Sequence, residues 1–214
     1  MPTHENHGVV IRLDIPPDHH PGTLRGDGPG AVLGREALTG IYEAYGKIND
    51  TAGRVTDKAR LASAAQPFAE RAVQRAGRAV TTLTAQVEHL DGEIATALRP
   101  PVEPGLAAQI RGHWAGGGKA LTGLRRAIAD GDATTASAVL NAPAYLSGLT
   151  DKEQGVLRTI AAERFAPMQV ARRAETFAAL ERVERATNHF METIAGNLRE
   201  WKDAESKIIE ENLA

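Results

Sequence analysis

The sequence predicts an all-α protein: a long antiparallel, coiled-coil-like helical stalk with a small cap of short helices and an extended N-terminal arm. Three observations predict it. Stepping from Leu38 by threes and fours through Ile41, Tyr45, Ile48 and onward to Val87, Leu90, Ile94 and Ala97 meets an apolar or aromatic residue at every position except Gln66; this alternation keeps one side of a helix apolar for a packed neighbour. Aromatic residues make up only 4% of the chain while alanine recurs throughout, and small side chains bury little area each, so helix length must supply the packing. A second heptad run, Leu180, Val183, Thr187, Phe190, Ile194, Asn197, Trp201, Ala204 and Ile208, widened by Met191 and Leu198, offers the first an intramolecular partner.

The elements follow in order. Residues 1–34 are rich in Pro, Gly, His and Asp and predict a poorly ordered arm, within which only Val9 to Ile15 has strand-like composition suited to adding to a neighbour's sheet edge or groove. Residues 35–99 predict one long helix kinked near Pro67, where a backbone hydrogen bond is lost. The alternative there, a reversal into a hairpin, lacks support in Ala62 to Gln66, which holds no Gly, Asn or Asp. Gly40, Gly46, Gly53, Gly77 and Gly92 lie off the apolar seam.

Pro100, Pro101 and Pro104 end that helix. Residues 100–149 predict a cap of short helices with a core of Leu106, Ile110, Trp114, Leu121, Leu124, Ile128, Val139 and Leu140, separated by Gly116 to Gly118, Asp130-Gly131-Asp132 and Asn141 with Pro143. Thr150 followed by Glu153 spells a capping box and opens a helical return over 150–214, with a break near Pro167. Folded back antiparallel, these arms give the stalk.

Composition excludes some chemistry. The 214-residue chain has a formal net charge of −2 and no cysteine, so no bulk charge draws it to nucleic acid or an anionic membrane, and disulfides, thiolate metal sites and cysteine nucleophiles are absent. The run Val9 to Ile15 carries Arg12 and Asp14 and lacks a preceding basic segment, unlike a signal peptide, and no apolar run approaches a membrane span. A cytoplasmic or virion location is expected.

Candidate sites reduce to ordinary structure. Gly116-Gly117-Gly118-Lys119 lacks the earlier glycine of a phosphate loop, where His113 stands, and its Ser or Thr, where Ala120 stands. His4, His7, His19 and His20 with Asp14 and Asp18 match no tight metal-ligand spacing. Neither His89 nor His189 belongs to a Glu-x-x-His pair. Asp130 and Asp132 lack the remaining ligands of a calcium loop, and Asp132 reads instead as a helix cap. Ser147 has no nucleophile-elbow pattern. Arg71, Arg75 and Arg78 form a basic ridge, and Arg125-Arg126 and Arg172-Arg173 are basic pairs. Charge pairing within the chain is their plainer reading and nucleic acid the other. No catalytic, cofactor-binding or metal-binding residue is assigned, and no enzyme is expected.

The run Ile41 to Ile48 (IYEAYGKI), the alanine-rich stretch interrupted by Gln66-Pro67, and Asn141 to Thr150 (NAPAYLSGLT) resemble small all-helical proteins encoded among tailed-phage virion genes, over roughly residues 38–213. The resemblance implies a non-enzymatic virion component, present in several copies as a homo-oligomer and making lateral helix contacts with itself and other structural proteins. A cytoplasmic coiled-coil adaptor or nucleic-acid-associated protein is the alternative.

Overall fold

A computed structural model describes residues 13–55, 57–116 and 120–213, with side chains up to Trp201. Seven α-helices order the described chain: α1 (Pro29–Ala52), α2 (Lys58–Ala97), α3 (Pro104–Ala115), α4 (Ala120–Ala129), α5 (Ala133–Leu140), α6 (Asp151–Phe165) and α7 (Pro167–Leu213). Three 3₁₀ turns, Pro17–His19, Pro21–Thr23 and Ala144–Ser147, complete them. The described residues contain no strand, and none of their helices is long and apolar enough to cross a membrane. The chain divides into two compact units, Met1–Ala85 with Glu175–Ala214, and Gln86–Ala174.

The first unit is built on three helices. Contacts of α1 with α7 advance together, Gly30 on Thr176, Gly34 on Ala179 and Tyr45 on Phe190, so these two helices run parallel. Contacts of α1 with α2 run in opposite senses, Gly40 under Arg75 and Lys47 over Phe68, so α2 is antiparallel to both. Leu38, Ile41, Tyr45, Ile48, Leu61, Leu83, Val183, Phe190 and Trp201 fill the centre. The ring of Tyr45 meets that of Phe190 edge-on at 4.8 Å, a favoured aromatic geometry.

The predicted single helix over 35–99 is corrected here. Its break falls between the end of α1 and the start of α2, not at Pro67, and it is a reversal. Gly53 ends α1, its N–H bonded to Asn49 O at 3.0 Å. Asp57 then starts α2, its Oδ1 accepting from the amides of Ala59 at 2.9 Å and Arg60 at 3.3 Å. A C-terminal glycine followed by an Asp cap was a legible stop and start signal, masked by a heptad register that continues across it.

Pro67 sits inside α2. Both Pro67 and Ser63, whose carbonyl loses its helical donor to the proline, are exposed, so water can satisfy that oxygen. The seam shifts too: Ala65, Ala72 and Ala79 are buried, Val73 and Val80 half-buried, and Gln66 exposed. A helix facing two neighbours buries a wider stripe than one facing a single partner.

The arm prediction is also corrected in part. Residues 13–28 lie on the helices of this unit, with Leu13, His19 and Leu24 buried, and α1 begins at Pro29. Within the strand-like stretch Val9 to Ile15, residues 13–15 are irregular and Val9 to Arg12 lie outside the described residues. Met191, expected to widen the α7 seam, is exposed, whereas Leu198 is half-buried. The side chains of Ala204 and Ile208 lie outside the described set.

In the second unit, Leu124, Ile128, Val139 and Leu140 are buried as the spacing requires, and Leu98, Leu149, Leu157 and Ala161 join them. Leu106 is exposed, and Ile110, Trp114 and Leu121 are only partly buried. The helix α6, expected in the return arm, packs on α4 and α5. Its start carries the capping box: Glu153 N–H donates to Thr150 Oγ1 at 3.3 Å, and Thr150 N–H donates to Glu153 Oε2 at 2.8 Å. The Thr150 N–H, together with the Thr150 hydroxyl that donates to the same oxygen at 2.8 Å, holds the Glu153 carboxyl below its ordinary range. Ala166 leaves helical geometry, and Pro167 opens α7 in the first-turn position where its missing N–H costs nothing.

Side-chain amides and guanidinium groups satisfy the loop carbonyls of this unit. Gln154 Nε2 donates to Val139 O at 3.0 Å and Ala142 O at 2.7 Å. Asn141 Nδ2 reaches Leu98 O and Ser137 O, each at 2.9 Å.

Because Leu83 is fully buried and Val73 only half, Leu83→Ala should lower unfolding free energy by about 2–5 kcal/mol and Val73→Ala by clearly less. Denaturant midpoints at unchanged m-value test this; equal losses would contradict the assigned register.

Candidate functional site

The first unit carries two features richer in chemistry than their surroundings: a basic groove between α1 and α2, and a strap over α1 and α7. The groove arises from small residues. Gly40 lets the Arg75 side chain lie against the α1 backbone, where an added Cβ would stand 3.1 Å from Arg75 Cδ. The groove encloses about 840 Å³. Its walls are Val32, Leu33, Arg35, Glu36, Ala37 and Thr39 on one side and Arg71, Gln74, Arg75, Arg78, Ala79 and Thr82 on the other. It adjoins a recess of about 150 Å³ bounded by Glu43, Lys47 and Phe68 as well as Arg71 and Arg75.

The cations differ in how they are held. Arg35 is tied to the strap, donating to Leu24 O at 3.3 Å and to Gly26 O. Arg71 donates from Nε to Pro67 O at 2.9 Å and lies over the Phe68 ring at 5.2 Å, which orients its guanidinium. Lys47 covers the same ring at 5.7 Å. Arg75 and Arg78 are exposed. Among the described residues, no carboxylate lies within ion-pair distance of Arg71, Arg75 or Arg78, and Glu70 instead accepts from Gln66 at 2.7 Å. Among the described residues, the charge pairing expected for the ridge is therefore not formed. Elsewhere it is: Arg126 meets Asp130 at 3.8 Å, and Arg173 Nη2 donates to Asp91 Oδ2 at 3.2 Å.

The strap is held by reciprocal amide bonds. Leu13 N–H donates to Asn49 Oδ1 at 2.7 Å while Asn49 Nδ2 donates to Leu13 O at 3.0 Å. Arg182 Nη1 donates to Thr23 Oγ1 at 2.7 Å, and Gly28 N–H donates to Glu175 Oε1 at 2.9 Å. Between these ties His19 is 3% exposed, its ring edge-on to His189 at 5.2 Å. Its Nδ1 has no hydrogen-bond partner among the described residues. Burial pushes its pKa below the ordinary 6.5. His189, Arg185 and Arg182 push the same way, opposed by Asp18, whose Oδ1 stands 3.9 Å from Nε2. His20 leaves this contact and packs its ring on Tyr42 at 5.1 Å.

The remaining sequence candidates are placed as follows. His4 and His7 lie outside the described residues, as do Gly117, Gly118 and Lys119. Among the described residues, no three His, Cys, Asp or Glu side chains stand together as a metal site. His89 faces Glu93 at 3.4 Å. Asp132 caps α5, accepting from Thr135 N–H at 2.9 Å. Ser147 is buried in the second unit.

Sequence reasoning did not single out Arg35, Lys47 or the strap's burial of His19. The run Leu13, Ile15, Leu24 held a faint signal, since apolar residues punctuate an otherwise polar stretch. The chain matches no protein-family model, no curated protein and no solved structure.

His19 yields a pH prediction. A base whose folded pKa lies below its unfolded value takes up its proton more readily when unfolded, so stability is full above about pH 6.5 and falls as pH drops toward the folded pKa. Urea midpoints between pH 7.5 and 5 should decline in the wild type. His19→Phe, which keeps an aromatic ring without the titration, should flatten that decline; an unchanged slope would remove His19 as its source.

Proposed function

We propose that this protein is a non-enzymatic assembly component, a multi-copy phage virion protein that associates with copies of itself and with other structural proteins through lateral helix contacts. The observation that carries the reading is the exposure of large apolar side chains on the second unit: Tyr145 at 73% and Met168 at 63%, with Leu106, Leu146 and Val156 also exposed. Side chains of this size cost free energy in water, and where several of them adjoin they mark contact surfaces.

Two further facts support it. Several polar side chains of this unit are engaged in structure: Gln154, Asn141, Arg111 and Arg158 bond loop and helix carbonyls, and Glu153 and Asp132 cap helices. The stretch Asn141 to Thr150, which carries the resemblance to virion proteins, includes the exposed Tyr145 and Leu146.

Light scattering across a concentration series provides the test. The wild type should show a mass above that of one 22.8 kDa chain. Tyr145→Asp with Met168→Asp should shift it toward one chain without lowering the melting temperature, because both side chains are already in water. A wild type that stays at one chain's mass at high concentration, and binds no protein encoded beside it, overturns the reading.

A further inference from the structure

We propose that the groove between α1 and α2 binds the phosphate backbone of a nucleic acid, with Arg71, Arg75 and Arg78 as its phosphate contacts. The proposal goes beyond the assembly reading and stands on a different observation. These three arginines follow one another at four and three residues along α2, one cation per turn of about 5.4 Å, on a single face. Such a row presents regularly spaced positive charge to a regularly charged polymer.

Among the described residues, no carboxylate stands within ion-pair distance of Arg71, Arg75 or Arg78. Across groove and recess the lining holds Arg35, Lys47, Arg71, Arg75 and Arg78 against Glu36 and Glu43. Arg35 is occupied by the strap, which leaves the α2 row as the free face. Arg71 is also held before any ligand arrives, by Pro67 O and the Phe68 ring, so less side-chain freedom is lost on binding.

Groove shape selects among polyanions. The α1 and α2 helices approach through Gly40, Ala44 and Ala72, and closely spaced helices leave a shallow furrow between them. An acidic partner helix, about 10–12 Å across with its side chains, would find only Val32, Leu33, Ala37 and Ala79 as an apolar bed. An extended sugar-phosphate strand needs only a row of donors. The contacts are to backbone charge, so no base sequence is favoured.

The experiment is fluorescence anisotropy with labelled single-stranded DNA and with a duplex of the same sequence, titrated with the full chain over a salt series. Three phosphate contacts predict a log–log salt slope of about −2 to −3 for the preferred form. Arg75→Ser with Arg78→Ser should weaken binding about 10-fold or more at low salt and make the slope shallower by about 1 per arginine removed, at unchanged melting temperature. Arg125→Ser, which removes one exposed cation from the second unit, should leave the affinity as it is.

Failure of both DNA forms to bind at low salt overturns the proposal. So does equal weakening by Arg125→Ser, which would show a diffuse charge effect, or a DNA affinity that does not change with salt.

Discussion

Close approach through small residues is the constraint on which the first unit depends. A Cβ on Gly30 would stand 2.9 Å from the Cα of Thr176, and one on Gly34 would stand 2.9 Å from Ala179 Cβ. The start of α1 therefore lies directly on the α7 backbone, and any larger side chain would force the helices apart. That contact sets the parallel register in which Tyr45 reaches Phe190 further along. On the other side, Ala65, Ala72, Ala76 and Ala79 bring α2 close. With so little side-chain volume between helices, the core gains its apolar area from a few large residues at intervals, Leu38, Ile41, Leu83, Phe190 and Trp201 among them. The packing is dense because the spacers are small.

The same smallness produces the surface chemistry. Alanine and glycine between α1 and α2 leave a furrow instead of a filled ridge, and the long side chains at its edge lie along it. Arg75 over Gly40 is the direct case. Because the apolar stripe of α2 is already committed to two neighbours, its arginines are confined to the remaining face, where Glu70 turns to Gln66 and no described carboxylate reaches them at ion-pair distance. The strap answers the opposite end of the problem: Leu13 and Leu24 cover apolar surface between α1 and α7, and the reciprocal bonds with Asn49 satisfy a backbone that has no helix or sheet to satisfy it.

In the second unit, short helices cannot depend on length, and polar side chains take over the role of joining them. Gln154 reaches the Val139 carbonyl in α5's last turn and the Ala142 carbonyl just beyond it, and Ser137 Oγ donates to Pro100 O at 2.8 Å. Each such bond contributes about 1 kcal/mol, but removing the donor would strand a partly buried carbonyl at greater cost. This explains why NAPAYLSG can form a compact turn while exposing Tyr145 and Leu146: its backbone is held from beneath by Gln154 and Asn141, so its apolar side chains are not needed to anchor it.

The sequence by itself determined helix identity, most helix boundaries and the chemistry that cysteine would have supplied. Apolar periodicity, the Thr150 and Glu153 cap, the Asp132 cap and the prolines near residues 100 and 167 act within one or two turns, and local interactions of that range are legible residue by residue. Tertiary structure decided between continuation and reversal after α1, where the register masked the Gly53 and Asp57 signals, and it alone decided the participation of α6 in the second core, the burial of His19 and the convergence of Arg35 and Lys47 with the α2 arginines. Each depends on which helix lies beside which. A heptad register is the same whether the chain continues or turns back, so periodicity could not tell one long helix from two antiparallel ones. The decision lay with a two-sided interface that asked α2 for a wider apolar face, and with the small residues of α1 that let both neighbours come near.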